Sequence, residues 1–147
     1  MPDEDDGTGG STMTPFLAAL AIIVIVVIAI WLVNALQGDR LSEDQRVGRA
    51  AVGQNDALQR GDYPDFTAYT CRAMRGTEAD VLARQRDSAA KNGERFVDDV
   101  TGVAIDGDRA TATVVYHFDK TADTKTPVPM SFVREDGAWK VCSTGPS

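Results

Sequence analysis

The alternation of apolar and polar positions divides the chain into three stretches with different periods. The first is a continuous apolar run over residues 15–36, PFLAALAIIVIVVIAIWLVNAL, which holds no charged residue and only one strongly polar one, Asn34, near its end. Its 22 residues, at about 1.5 Å of helical rise each, span roughly 33 Å, close to the ~30 Å hydrocarbon core of a bilayer. The run therefore predicts one transmembrane helix, with Trp31 at the end where an amphipathic ring favours the interface. A buried helix of a soluble protein is usually shorter. A cleaved signal sequence calls for a basic leader, a shorter apolar stretch and a small-x-small cleavage site. Here the leader is acidic, the run is long, and no Ala-x-Ala follows it.

Residues 1–14 are acidic, rich in Gly, Ser and Thr, and without periodicity, so they predict a disordered tail. Residues 37–41 form a linker. From residue 42 the period becomes helical. Ser42 with Gln45 makes a capping box, and Val47, Ala50, Ala51 and Leu58 form one apolar stripe of a helix that runs to about Arg60, with Gly61 as its stop. Asp62-Tyr63-Pro64 opens a second helix, with Pro64 tolerated in its first turn. Phe66, Tyr69, Thr70, Ala73 and Met74 are expected along one side of it, and Gly76 ends it. Thr77 and Asp80 begin a third helix, which Asn92-Gly93 breaks.

Beyond residue 95 the period falls to two. Residues 96–105 predict a strand with a bulge at Gly102, and Asp106-Gly107 a hairpin turn. Residues 109–118 alternate cleanly. Ala110, Ala112, Val114, Tyr116 and Phe118 share one face, and Arg109, Thr111, Thr113, Val115 and His117 the other. After a polar loop, Val128, Met130 and Phe132 give a third strand its apolar face. Asp136-Gly137 makes a second tight turn, and residues 138–143 the last strand. Three helices followed by a four-stranded antiparallel meander is an α+β plan, with helices packed on one face of a curved sheet.

Charge refines this picture. Of the 22 acidic residues, Asp3, Glu4, Asp5 and Asp6 precede the apolar run, whereas all 15 basic residues follow it, so the domain is only mildly acidic. That argues against nucleic acid, which needs clustered positive charge, and no polybasic patch is present for anionic lipid. Arg40, Arg46 and Arg49 follow the apolar run and no basic residue precedes it. The positive-inside rule alone places the domain in the cytoplasm, but the rule weakens where a folded domain abuts the anchor. The two cysteines are expected as free thiols in a cytosolic chain and as one disulfide beyond a membrane.

Three segments carry a resemblance: Ala57-Leu-Gln-Arg-Gly-Asp-Tyr63, Tyr69-Thr-Cys-Arg-Ala-Met-Arg75 and Phe132-Val-Arg-Glu-Asp-Gly-Ala-Trp-Lys-Val-Cys142. Over residues 42–144 the chain resembles small actinobacterial single-pass membrane proteins with an extracytoplasmic nuclear-transport-factor-2-like domain. Some of these are described as lumazine-binding-like and others as associated with mammalian-cell-entry transport systems. The resemblance implies a cone, a curved sheet wrapping helices with a cavity at its mouth, and residues 145–147 become a short tail. It implies a Cys71–Cys142 disulfide, and with it a plasma-membrane protein whose N-terminus is cytoplasmic and whose domain lies outside. A cone of this kind implies no single chemistry.

Candidate chemistry is sparse. One histidine and no C-x-x-C spacing imply neither metal nor cofactor. His117 is a potential general base, weighed against a solvated or core-edge imidazole. Catalytic members of the superfamily resemble ketosteroid isomerase, with a carboxylate base and a Tyr/Asp oxyanion hole. Tyr63, Tyr69, Tyr116, Asp98 and Asp99 do not align to that constellation. The expected function is a non-catalytic accessory module of the cell envelope. It is held to the bilayer by a link of about six residues, whose short reach keeps the domain beside a partner, either another envelope protein or a second copy. Sheet-to-sheet dimers are common in the superfamily, although the apolar run has no G-x-x-x-G to support self-association. The alternative is a small-molecule binder, or an enzyme, with a cavity lined by Tyr63, Phe66, Tyr69, Tyr116, Phe118 and His117.

Overall fold

The computed structural model describes residues 14–37 and 41–147. The tail expected over residues 1–14 lies, apart from Thr14, outside the described residues, as does most of the linker expected over residues 37–41. Helix α1 (Thr14–Gln37) contains the whole apolar run. Residues 15–36 are exposed on every side of it, so it has no polar face to offer water. Among the described residues it is the one helix long and apolar enough to cross a membrane.

The second unit, residues 41–147, begins with α2 (Glu43–Arg60). Its first turn is fixed by the expected capping box: Gln45 N–H donates to Ser42 Oγ at 3.2 Å and Ser42 N–H to Gln45 Oε1 at 3.0 Å. The helix stops at Gly61. Helices α3 (Tyr63–Tyr69) and α4 (Glu78–Asn92) start at Asp62 and Thr77, whose side chains each accept a backbone N–H from the first turn.

The sheet is the meander expected from the alternation. Strands β1 (Arg95–Asp106), β2 (Arg109–Phe118), β3 (Thr126–Glu135) and β4 (Ala138–Val141) pair in the order β1-β2-β3-β4, each antiparallel to its neighbour. The β3–β4 loop places both Asp136 and Gly137 at positive φ, +53° and +77°, which suits the right-handed twist of the flanking strands. Alternation holds along β2. Ala110, Ala112, Val114 and Tyr116 are buried, Phe118 is half-buried, and Arg109 and Thr111 on the other face are exposed.

Val47, Ala50 and Ala51 of α2 join Val114, Met130, Phe132, Trp139 and Val141 in one core. Helix α2 touches both β1 and β4, the two outer strands. A flat sheet of four strands would set those strands roughly 14 Å apart, wider than a helix of ~10–12 Å. Contact with both is possible because the sheet curls. The register of β1 shifts between Val97 and Asp99 and again between Thr101 and Ala104, around Gly102, and such bulges bend a strand.

Two expected elements are shorter than their patterns: the last strand, expected over residues 138–143, ends at Val141, and the second helix is cut back further. The second helix does not continue to Gly76 but ends at Tyr69, and only a 3₁₀ turn, Arg72–Met74, follows. The reason is tertiary. Thr70 is extended and bridges Val141 in parallel, Cys71 N–H donates to the Val141 carbonyl at 2.9 Å, and Cys71 is disulfide-bonded to Cys142 with the Cα atoms 5.2 Å apart. A helical Thr70–Met74 would carry these groups away from β4. At the other end of α2, Glu43 Oε2 accepts from Arg134 Nη2 at 2.6 Å and from Trp139 Nε1 at 2.8 Å, tying the helix start to the last hairpin.

The disulfide joins residues 71 apart in sequence, so replacing both cysteines by serine should lower the unfolding free energy by about 4 kcal/mol on the chain-entropy argument. Urea unfolding of the full chain in detergent, followed by far-UV circular dichroism, measures this. A midpoint unchanged from wild type would show that the bond contributes nothing to stability.

Candidate functional site

The stripe of α2 that packs on the sheet continues through Gln54 and Asn55, two amides at positions where apolar residues would complete the core. Both are buried, and burial of an amide requires hydrogen-bond partners. Gln54 Nε2 donates to Thr70 Oγ1 at 2.9 Å, and that hydroxyl donates to the Phe66 carbonyl at 2.7 Å. Asn55 grips Arg95 from two sides: its Nδ2 donates to the Arg95 carbonyl at 2.9 Å, and its Oδ1 accepts from Arg95 Nε at 2.8 Å.

Arg95 is the first residue of β1 and only 8% exposed. Its guanidinium stacks 4.9 Å from the centroid of the Tyr116 ring, and Nη1 donates to the Pro146 carbonyl. Among the described residues it has no carboxylate partner, and its Nη2 meets no acceptor. Burial lowers the guanidinium pKa from its ordinary value, with Tyr116 opposing, and burial raises the Tyr116 phenol, with Arg95 opposing.

Above this group lies a cavity of about 170 Å³. Leu58, Phe66, Met74 and Val81 make its apolar wall, Gln54 and Arg95 its polar floor, Arg84, Gln85 and Ser88 of α4 its rim, and residues 143–147 its cover. Residues 145–147, expected as a tail, thus pack against the domain. Gly145 lies so close to the guanidinium that an added Cβ would stand 3.0 Å from Nη1.

The residues expected to line a cavity are not brought together. Phe66 lines this one. The Tyr63 ring lies tilted beside Phe66, centroids 6.1 Å apart, and its hydroxyl donates to the Gly76 carbonyl at 2.6 Å. Tyr69 lies on the far side of α2 with its ring on Gly53, where a Cβ would come within 2.6 Å of it. Tyr116 is core, beneath Arg95. Phe118 pairs with Arg95 in the register of β1 and β2 but does not reach the cavity wall. His117 faces the opposite side of the sheet, stacked 4.9 Å from Phe96, with Nδ1 2.8 Å from Asp98 Oδ2; Lys125 Nζ lies 3.1 Å from the same oxygen. The hydrogen bond to His117 chiefly, joined by Lys125 and opposed by partial desolvation, holds the Asp98 carboxyl below the usual carboxylate range.

Residues 73–144 match the family described as the low molecular weight antigen MTB12, C-terminal domain. The matched span contains α4 and all four strands and leaves α2 and α3 outside. Similar solved structures include a Campylobacter jejuni protein provisionally called an NTF2-like transpeptidase, at 19% identity and a TM-score of 0.46, covering 64% of this chain and 94% of that one. Another is a Streptomyces avermitilis protein of the NTF2-like family provisionally called a dehydratase, at 20% identity and 0.43, covering 67% and 90%. A third is a variant of a Mycobacterium tuberculosis protein of unknown function, at 13% identity and 0.45, covering 66% of each chain. At such identities no activity transfers with the likeness. No curated protein matches the chain in sequence.

Asn55→Ala removes an acceptor from a buried cation, so it should cost about 2–3 kcal/mol, the scale of a hydrogen bond to a charged group; urea unfolding would read this as an earlier midpoint. Asp98 has a folded pKa below its ordinary value of 3.8, so its contribution is present above about that pH and is lost as pH falls through the lower folded value. Melting temperatures measured from pH 7 down to pH 2 should show wild type above Asp98→Asn at neutral pH and the two curves converging in acid. Parallel curves would contradict the assignment.

Proposed function

We propose that the chain is a single-pass membrane protein, N-terminus in the cytoplasm, whose nuclear-transport-factor-2-like domain stands outside the membrane as a non-catalytic accessory or interaction module of the cell envelope. One pairing of features carries this reading: a helix apolar on every side, with residues 15–36 all exposed, in the same chain as a disulfide-bonded domain. A helix without a polar face needs lipid or a protein partner around it, and a disulfide persists in an oxidising compartment. The non-catalytic part rests on the cavity lining. Its side-chain polar groups are amides, hydroxyls and guanidinium groups, with no carboxylate or imidazole side chain among the described lining residues to act as a base for those hydroxyls.

A second reading has its own observation. The cavity over Arg95 combines an apolar wall with a few converging polar groups, the form of a small-molecule site.

Orientation is tested on intact cells. A membrane-impermeant protease should degrade the domain from outside, and thiol blocking before and after reduction should show Cys71 and Cys142 oxidised. Protection of the domain with both thiols free would overturn the placement. Cross-linking in native membranes should return one repeatable adduct, with another envelope protein or with a second copy; its absence would count against the accessory role.

A further inference from the structure

The buried guanidinium of Arg95 marks a ligand chemistry. A charge taken out of water is costly unless an opposite charge or enough hydrogen bonds replace the lost hydration. Here no carboxylate among the described residues does so. The replacement consists of one amide oxygen from Asn55, one carbonyl from Pro146 and the face of the Tyr116 ring. Nε is committed to Asn55 in the body of the fold. The end-on edge of the guanidinium, Nη1 and Nη2, faces the cavity cover, and its one acceptor is a single neutral carbonyl from the segment 143–147. That edge has the geometry that accepts the two oxygens of a carboxylate side by side.

The remaining walls set the rest of the ligand. Leu58, Phe66, Met74 and Val81 offer apolar surface next to the charge. A volume of about 170 Å³ suits one ring or a short chain, since a cavity of roughly 150 Å³ elsewhere holds benzene. The cover is also the group a ligand would displace. Its Pro146 carbonyl already occupies the anion's position, and a side chain at Gly145 would stand 3.0 Å from Nη1.

We propose that this cavity binds small amphipathic carboxylates, the carboxylate replacing the Pro146 carbonyl on Arg95 and the ring or short chain lying against Phe66 and Val81, with residues 143–147 as the lid that the ligand displaces. The proposal rests on the small-molecule reading above and is independent of the anchor and its orientation.

The test uses the full chain in lipid nanodiscs, with empty nanodiscs as blank, and 4-fluorobenzoate observed by fluorine NMR. Saturable binding is expected, with the uncharged 4-fluorobenzamide at least about 10-fold weaker, because a charge-assisted pair contributes ~1.5–3 kcal/mol. Arg95→Gln should weaken benzoate binding by about 10- to 100-fold on the same scale. A chain ending at Ser143 should bind more tightly than wild type, since the competing carbonyl is gone. This truncation and the benzamide comparison keep the proposal testable if Arg95→Gln fails to fold. Equal binding of benzoate and benzamide, or no saturable binding by either the full or the shortened chain, would overturn the carboxylate site; unchanged or weaker binding by the shortened chain would overturn the lid. A domain found on the cytoplasmic side would sink the placement proposed above while leaving these binding results standing.

Discussion

The structure depends on the seam where residues 70 and 71 meet residues 141 and 142. Without it, β4 is a four-residue edge strand, paired only with β3 and too short to hold a helical layer in place. The seam adds a parallel bridge, a backbone hydrogen bond and a covalent bond to that edge. Its effect runs in both directions along the chain. Upstream it ends α3 at Tyr69 and turns Thr70 inward, where its hydroxyl receives Gln54. Downstream it fixes the point from which residues 143–147 leave the sheet. Those five residues can then cross the mouth of the cavity and bring the Pro146 carbonyl to Arg95. The cover of the site is therefore positioned by the disulfide, even though neither cysteine lines the cavity.

The Glu43 clamp acts as the counterpart of this seam. Both fasten α2 and α3 to the last hairpin, one through Arg134 and Trp139 and the other through Thr70 and Cys71. With α2 held at both ends of β4, the sheet must curl to bring β1 against the same helix, and the bulges of β1 supply that bend. The curl brings Arg95, at the start of β1, beneath Asn55 of α2. The polar floor of the cavity is thus a consequence of closing the sheet around one helix.

Much of this was legible in the residues, and the limits have physical causes. Caps, turns and strand faces depend on contacts within a few residues, so the Ser42 capping box, the Asp136-Gly137 turn and the buried side of β2 match their patterns. The end of α3 does not, because a partner 71 residues away decides it. Of the aromatic residues expected around a cavity, Phe66 lines this one and the others do not, for a related reason. Aromatic residues suggested a cavity wall, but Tyr116 serves the core and Tyr63 and Tyr69 are used in packing α3 and α2. The informative signal was the opposite one. Gln54 and Asn55 interrupt an apolar stripe at positions i+7 and i+8 from Val47, and two amides at core positions imply a buried polar group for them to serve. What the pattern could not supply was its identity, because Arg95 sits at the strand's first residue, outside the span that alternation assigned to β1.

The sheet separates two kinds of charge. On its outer face Asp98 is held by His117 and Lys125, which keep its carboxyl below the usual carboxylate range. On its inner face Arg95 keeps its proton across the physiological range even though burial lowers its pKa, because a guanidinium starts so far above neutrality. The electropositive floor of the cavity is therefore constant, and its described lining holds no imidazole or thiol side chain. Recognition there must come from the charge and shape of what enters. For a carboxylate that is already ionised at neutral pH, the cavity needs no proton transfer to accept it, only the departure of one carbonyl.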